Sequence, residues 1–218
     1  MNVVIFGTGN QSEVILDILL ESTEFNFLGF ICEYNLKKEH CGYPILTSEL
    51  NPNTFKSLKI EGGIVGLGDN FQRCELVERI KKNIPDFNFI NVISNSSDLS
   101  QNTKIGSGNL IEANTTIKTK TVIKDHCIIN SNSSIGHHCE INSFSSIAPG
   151  CMIGGNVTIG KSAAVCIGSA VREKITIGEN SVVGASSFVN KDIPPGWLCY
   201  GTPIKLVRER DSDEKYLQ

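Results

Sequence analysis

Two adjacent histidines stand out among the side chains that could do chemistry, because the 218-residue chain contains only four histidines. His137 and His138 follow a glycine, and Gly155 comes eighteen residues after His137. An imidazole can act as a general base towards an attacking amine or hydroxyl. If positions at this spacing stack, the glycine leaves a gap beside the base where backbone N–H groups can meet an acyl thioester. The spacing also fits two exposed histidines without a role, whereas a metal site would need further ligands.

The histidines lie inside a regular repeat that accounts for this spacing. Residues 103–192 divide into fifteen hexads without a gap, and the third position of every hexad is isoleucine or valine. A period of six fits a short strand followed by a turn, and fits neither a helix nor a long strand. Three hexads make one triangular coil, so the segment predicts a parallel β-helix of about five coils with inward-facing third positions. Glycines at the fourth to sixth positions predict corners with unusual backbone angles.

The first 95 residues show a different pattern, in which short apolar runs alternate with helical segments. Strands are predicted at residues 3–6, 27–31, from 64 and at 87–92, and a Gly-Thr-Gly turn follows the first strand. This order is typical of a small Rossmann-like α/β domain with a parallel sheet. Such a turn can hold phosphate at a helix N-terminus, although the third glycine of the dinucleotide fingerprint is missing. The polar residues 94–102 are predicted to link the domains, and residues 193–218 to form a C-terminal extension with a frayed tail from Arg208.

The composition argues against several classes of protein. The net charge is −3 and no basic block occurs, so we expect no nucleic-acid binding. No run approaches the roughly 18 apolar residues of a membrane span, and the first residues lack the pattern of a signal peptide. The eight cysteines are scattered, so we expect reduced thiols in a cytoplasmic protein, with small wall residues at Cys127, Cys139 and Cys151. His40 is expected in a charged loop and His126 at a solvated corner.

The order of these features resembles that of a known enzyme family. A Gly-turn nucleotide domain is followed by hexads that contain Ile129-Asn130 and Gly136-His137, and then by the run Gly201-Thr202-Pro203-Ile204-Lys205. In this order the chain is similar, to about residue 208, to bacterial sialic acid O-acetyltransferases and UDP-4-amino-sugar N-acetyltransferases of the bacillosamine pathway. The resemblance, and not the general preference for right-handed crossovers, implies a left-handed β-helix. It also implies a homotrimer with active sites between neighbouring β-helices.

The resemblance assigns roles to individual residues. His137 matches the general base of acetyl transfer, and His138 stands where the family usually has Asp or Glu. The positions that match the sugar-nucleotide site are Gly9, Asn10, Gln11, Cys32, Glu33, Gly68 and Asn130. Those that match the coenzyme A track are Ser146, Gly155, Ile167 and Ala185. The co-substrate implied is acetyl-CoA, and no metal is expected.

These observations predict a cytoplasmic, acetyl-CoA-dependent N-acetyltransferase for bacterial surface glycan biosynthesis. Its expected acceptor is the 4-amino group of a nucleotide-linked sugar, with UDP as the nucleotide. One alternative is O-acetylation of a sialic acid-like sugar, but a hydroxyl needs stronger base help than an amine, so His138 in place of a carboxylate favours the amine. A γ-type carbonic anhydrase would need three spaced zinc-binding histidines on the β-helix. A purely structural β-helix would leave the glycine-turn domain unexplained.

Overall fold

The computed structural model describes residues 1–33, 38–211 and 213–215 of the chain. Contacts between residues separate the chain into two units. An α/β unit comprises Met1–Gly68 and Gln72–Val92, and a β-helix unit comprises Asp69–Phe71 and Ile93–Gln218. The short segment Asp69–Phe71 therefore groups with the second unit, although both of its sequence neighbours belong to the first.

The α/β unit is built on a five-stranded sheet in the order β3-β4-β2-β1-β5. Its strands are β1 (Asn2–Phe6), β2 (Asn26–Ile31), β3 (Glu39–His40), β4 (Tyr43–Thr47) and β5 (Gly62–Val65). The helices are α1 (Asn10–Leu20), α2 (Pro52–Ser57) and α3 (Asn70–Asn83). Strands β4, β2, β1 and β5 are parallel, and β3 turns back antiparallel on β4. The predicted α/β domain with a parallel sheet is confirmed, and no helix in the described residues is long and apolar enough to cross a membrane.

The β-helix unit consists mainly of two-residue strands that recur every six residues. They are β6 (Val92–Ile93), β7 (Asp98–Leu99), β8 (Lys104–Ile105), β9 (Leu110–Ile111), β10 (Thr116–Ile117), β11 (Val122–Ile123), β12 (Ile128–Ile129), β13 (Ser134–Ile135), β14 (Glu140–Ile141), β15 (Ser146–Ile147), β16 (Met152–Ile153), β17 (Thr158–Ile159), β18 (Ala164–Val165), β19 (Ala170–Val171), β20 (Thr176–Ile177), β21 (Val182–Val183) and β22 (Phe188–Val189). They stack into three faces, in the orders β22-β19-β16-β13-β10-β7, β20-β17-β14-β11-β8 and β21-β18-β15-β12-β9-β6. Two longer strands, β23 (Trp197–Tyr200) and β24 (Lys205–Glu209), extend the third face.

The third position of each hexad forms the core of the β-helix, as the repeat predicts. Ile135, for example, pairs in parallel register with Ile153, eighteen residues later. From residue 111 to residue 189 these side chains are buried, whereas Ile105 is only partly buried. Each fully buried side chain of this size contributes roughly 1.5–3 kcal/mol of hydrophobic stabilisation. The stacking therefore accounts for the stability of a unit that has very short strands.

The corners of the coils follow a simpler rule than the glycines suggested. The sixth position of every hexad has a positive φ from residue 108 to residue 186, and most of these residues are not glycine. His138, for example, has a φ of +58°. Fourth-position glycines are small for another reason, since a Cβ on Gly136 would lie 2.6 Å from the nitrogen of Gly155 in the next coil. The prediction of unusual angles at the fourth to sixth positions therefore holds at the sixth alone.

Three predictions made from local composition are wrong. Residues 94–102 are no linker, because β7 pairs with β10 of the β-helix and β6, directly before this segment, pairs with β9. Leu99 packs against the β-helix core. The strand predicted at 87–92 is reduced to a single bridge between Phe89 and Gly63. The tail is ordered where Arg208 donates to both carboxylate oxygens of Glu214 at 2.6 and 2.8 Å. Residues 212 and 216–218 of that tail lie outside the described residues.

Candidate active site

His137 and His138 lie at the corner between β13 and β14, and the neighbouring coils fix its backbone. The His138 N–H donates to the Thr119 carbonyl at 3.0 Å, and the His137 carbonyl accepts from the Asn156 N–H at 2.8 Å. Both imidazoles are exposed, their Nδ1 atoms are 3.0 Å apart, and their planes meet at 88°. One ring therefore donates a hydrogen bond to the other, and the tautomers decide which ring is the donor.

Gly155 lies directly against the His137 ring, at the spacing of one coil. A Cβ atom on Gly155 would be 2.7 Å from Cε1 and 2.8 Å from Nε2 of His137. Any larger residue at this position would therefore displace the ring. The Gly155 carbonyl accepts from the Lys174 N–H at 2.9 Å, so the glycine itself is fixed by the following coil. The edge of the His137 imidazole therefore packs against the backbone of Gly155.

The wall behind the histidines is buried and hydrogen-bonded. The Thr121 hydroxyl donates to the carbonyl that precedes His137 at 2.8 Å, and the Cys139 thiol donates to a carbonyl of the next coil at 3.1 Å. Burial raises the pKa of the Cys139 thiol, so this group stays protonated. Cys127 and Cys151 are buried in the same core. All three are wall residues, as the sequence predicts.

Asn130 occupies the preceding corner, between β12 and β13. Its Nδ2 donates to the carbonyl of Ile147 at 2.8 Å. Asn142, two hexads later, makes the same bond to the carbonyl of Ile159 at 3.0 Å. The Asn130 amide therefore has a structural hydrogen bond of a kind that the β-helix uses more than once.

The residues matched to the coenzyme A track lie in different environments. Ile167 and Ala185 are exposed at the same corner position, one coil apart. Gly155 lies at the His137 corner. Ser146 is buried instead, and its hydroxyl donates to Oδ1 of Asn70 at 2.5 Å. This buried position differs from the open track that the resemblance implies.

Asn70 makes hydrogen bonds within the β-helix unit that the local sequence does not predict. Its Nδ2 donates to the carbonyls of Ser162 and Ala163 at 3.1 and 3.2 Å. These contacts join residues more than ninety positions apart. Because no repeat relates them, only the fold shows that Asn70 fixes the Ser146 hydroxyl.

The α/β unit contains a cavity of about 520 Å³ at the carboxyl ends of β1 and β2. Crevices at this edge of a parallel sheet are the usual ligand sites of such folds. Three residues matched to the sugar nucleotide line the cavity: Gly9, Cys32 and Glu33. The others from this unit, which are Asn10, Gln11 and Gly68, do not line it within the described part of the chain. The Thr8 hydroxyl donates to Sγ of Cys32 at 3.5 Å across its floor.

Helix α3 supplies the opposite wall, which nothing in the local sequence marks. Arg79 lines the cavity and forms an ion pair with Glu33. The buried Arg73 donates from Nη1 to the carbonyls of Leu67 and Gly68 at 3.0 and 2.9 Å, and so fixes the turn after β5. A helical pattern reveals that α3 has a buried face, but it does not reveal which strand ends that face meets.

The other two histidines are placed differently from the predictions. His126 is buried and stacks on Phe144, with ring centroids 5.1 Å apart and planes 12° from parallel. The prediction of a solvated corner is wrong because Phe144 takes the same corner position one coil later and covers the ring. His40 belongs to β3 and packs edge-on against Phe30 at 4.9 Å, so it is not in a loop.

Comparison with known proteins supports this architecture. Residues 2–80 match the model of the PglD N-terminal domain, and residues 102–137 and 120–155 match the bacterial transferase hexapeptide model of six repeats. The galactoside O-acetyltransferase of Escherichia coli is 45% identical over 65 residues, which are 29% of this chain and 29% of that enzyme. The chain therefore spans less than a third of the length of this curated relative.

Several solved structures match nearly the whole chain. PerB from Caulobacter crescentus, in complex with CoA and GDP-perosamine, is 25% identical with a TM-score of 0.87, and the match covers 95% of this chain and 98% of that one. The acetyltransferase domain of PglB from Neisseria gonorrhoeae, in complex with acetyl coenzyme A, is 23% identical with a TM-score of 0.83, covering 94% and 98%. These matches confirm the predicted left-handed β-helix. The chain thus combines a segment that matches the PglD N-terminal domain with a β-helix that matches the hexapeptide-repeat model, and its resemblance to bacterial sugar acetyltransferases is confirmed.

Proposed function

We propose that the protein is an acetyl-CoA-dependent N-acetyltransferase for the 4-amino group of a nucleotide-linked amino sugar, with UDP as the nucleotide, in bacterial surface glycan synthesis. The observation that carries this proposal is the exposed His137 imidazole lying against Gly155. The reaction class is supported by PerB, which was solved with CoA and GDP-perosamine, and by the PglB domain, which was solved with acetyl coenzyme A.

In the proposed reaction His137 is the general base. The sugar amine attacks the thioester carbonyl carbon of acetyl-CoA, so that a C–N bond forms and the C–S bond breaks. The proton that the nitrogen loses passes to Nε2 of His137 and then to the departing CoA thiolate. Gly155 lets the His137 imidazole lie against bare backbone. We propose that backbone N–H groups near this position stabilise the developing oxyanion.

His138 acts in this scheme as a positioning residue. When Nδ1 of His137 carries the proton, it donates to Nδ1 of His138 at 3.0 Å, and Nε2 keeps the lone pair that a base requires. A neutral imidazole holds that proton less strongly than a carboxylate would. The pair therefore suits an amine, which needs less help than a hydroxyl.

The binding roles follow from where the matched residues lie. The cavity of the α/β unit is proposed to take the nucleoside, with Gly9 at the phosphates and Glu33 at the ribose hydroxyls. Asn130 is proposed for the sugar, and the exposed Ile167 and Ala185 for coenzyme A. Asn10, Gln11 and Gly68 belong to the turns that border the nucleotide in this scheme, and Ser146 acts through its contact with Asn70.

An exposed apolar column supports a homotrimer with active sites between subunits. Met152 and Phe188 are 56% and 38% exposed, and Ala170 lies between them in register. Met152 at one end of the column pairs in register with Ser134 of β13, which lies shortly before the corner of His137. A second copy packed on this face would cover the apolar side chains and lie beside the base. We place the reaction in the cytoplasm, where acetyl-CoA and nucleotide sugars are made.

Coenzyme A release from acetyl-CoA tests the proposal, with wild type and His137→Ala compared on UDP-, dTDP- and GDP-linked 4-amino sugars and on free sialic acid. We expect release with one nucleotide amino sugar and its loss in His137→Ala. Turnover on sialic acid alone would favour O-acetylation, which is the reaction named for the Escherichia coli relative. Unchanged activity in His137→Ala would contradict the role of the base.

A further inference from the structure

A cluster of three potential metal ligands lies in the α/β unit and has no part in the proposed reaction. Glu13, His40 and Cys41 each offer one ligand atom, and these atoms all lie within 4.8 Å of one another. Glu13 belongs to the first turn of α1, whereas His40 ends β3 and Cys41 follows it. In the part of the chain that the structure describes, no other three His, Cys, Asp or Glu side chains come as close together.

The hairpin between β3 and β4 brings two of these ligands together. His40 and Tyr43 pair across it, and the two residues between them, Cys41 and Gly42, have φ values of +49° and +76°. Positive φ at both central residues is typical of a type I′ turn. In a regular strand adjacent side chains point to opposite faces, but the turn at Cys41 lets both donors approach Glu13. The edge-on contact with Phe30 holds the His40 ring in place.

The separation of His40 and Glu13 is that of two ligands on one zinc ion. Nε2 of His40 is 3.4 Å from Oε1 of Glu13. In a tetrahedral site with bonds of about 2.0–2.1 Å, nitrogen and oxygen ligands lie roughly 3.4 Å apart. Nε2 is buried and makes no hydrogen bond within the described residues, so the imidazole is not committed to another group. A thiolate ligand would lie roughly 3.6 Å from each of the others. The Cys41 ligand atom already lies within 4.8 Å of both.

The charges around Cys41 favour a cation of this kind. The Cys41 side chain is exposed, and the carboxylates of Glu13 and Asp17 lie close enough to interact with it electrostatically. Asp17 lies one helical turn after Glu13, so both carboxylates are on one face of α1. Thiolate, imidazole and carboxylate together suit zinc, whereas magnesium and calcium prefer oxygen ligands alone.

We propose that Glu13, His40 and Cys41 bind one Zn²⁺ ion, with water or the Asp17 carboxylate as the fourth ligand. The ion ties the β3–β4 hairpin to the first turn of α1. Its role is structural and lies outside acetyl transfer, for which no metal is expected.

Zinc titration of the full-length, reduced and EDTA-treated chain tests this proposal, with a chromophoric chelator as competitor. We expect one equivalent to bind, and Glu13→Gln, His40→Gln and Cys41→Ser each to weaken the affinity at least about tenfold. Cys74→Ser is the matched control, because it removes a thiol of the same unit outside the cluster. We expect it to leave the zinc affinity unchanged.

Cobalt(II) gives a second measurement that does not depend on activity. Wild type should show the near-ultraviolet charge-transfer band of a thiolate bound to cobalt, and Cys41→Ser should not. Glu13 and Cys41 are exposed, so their variants should retain the circular dichroism spectrum of the wild type. Equal zinc affinity in wild type and Cys41→Ser, or loss of binding in Cys74→Ser, would contradict the proposal.

Discussion

The two units of this chain bury their cores in different ways. In the β-helix unit each inward side chain packs on the same position of the next coil, as Ile129 does on Ile147. In the α/β unit each buried side chain has neighbours of its own, as where Phe6 meets Phe55 and Phe87 at ring distances of 6.2 and 5.3 Å. The first kind of core repeats one contact many times, and the second uses each contact once.

This difference separates stability from chemistry in the β-helix. Because each coil contacts only its neighbours, a corner residue can change without disturbing the core. Lys120, His138 and Asn156 share the same corner position and nearly the same φ, from +58° to +60°. Their side chains nevertheless differ, and that of His138 forms a hydrogen bond with the His137 ring. In the α/β unit the residues that line the cavity also connect elements of the fold, because Arg79 of α3 forms an ion pair with Glu33 after β2. We therefore expect corner substitutions to change kcat and cavity substitutions to change KM.

His137→Asn is the strongest test of this separation. We expect kcat to fall by about 10²–10⁴-fold, or about 3–5 kcal/mol, because the general base is lost. The ring is exposed, so the thermal unfolding midpoint should stay at the wild-type value. Steady-state kinetics and thermal denaturation measure both effects, with Lys120→Asn, an exposed corner residue one coil earlier, as the control. A lower unfolding midpoint in His137→Asn would show that corner and core are coupled.

Ile147→Ala tests the repeated core itself. Ile147 is fully buried between Ile129 and Val165, so truncation should lower the free energy of unfolding by about 2–5 kcal/mol. Ile105→Ala is the matched control, because Ile105 is partly buried and lies in β8 at the end of its face, where it pairs with Ile123. Urea denaturation followed by circular dichroism gives both values. Equal losses at the two positions would break the comparison, since a stacked core predicts a larger cost in its middle.

The same difference decides how much of the fold the sequence could predict. In the β-helix, residues eighteen positions apart are in contact. The period of six therefore predicted the strands, their register and the burial of residues such as Ile135. The predictions that relied on composition and ignored the repeat were wrong. Residues 94–102 are polar, but Ile93 and Leu99 already keep the repeat and pack on the core. The burial of His126 follows from spacing and not from composition, because the ring that covers it, Phe144, lies eighteen residues later at the same corner position.

The residues of the candidate site also fall into those that the repeat predicts and those that only the fold shows. His137 and Gly155 could be paired from the sequence because one coil separates them. Arg79 and Asn70 could not be found in this way, because no repeat relates either residue to its partners. Glu33 was found only through a family resemblance, and its ion pair with Arg79 emerged from the fold.

Glu33→Gln tests the cavity side of the comparison. The change removes a charged acceptor worth about 1.5–3 kcal/mol, so KM for the sugar nucleotide should rise about 10–100-fold while kcat changes little. Glu78→Gln is the control, because Glu78 is exposed on the same helix as Arg79 and does not line the cavity among the described residues. Initial rates at varied sugar nucleotide and saturating acetyl-CoA separate the two constants. A fall in kcat at constant KM would contradict the division of roles.

Asn130→Ala and Asn142→Ala give the smallest and sharpest contrast, because both residues make the same hydrogen bond within the β-helix. Each Nδ2 donates to a carbonyl of the next coil, at 2.8 and 3.0 Å. Each substitution should therefore lower the free energy of unfolding by about 1 kcal/mol, as measured by urea denaturation. Only Asn130→Ala should also slow acetyl transfer, because only Asn130 is proposed to contact the sugar. If both variants keep wild-type kinetics, the Asn130 side chain only links neighbouring coils, as that of Asn142 does, and the sugar is bound by other groups.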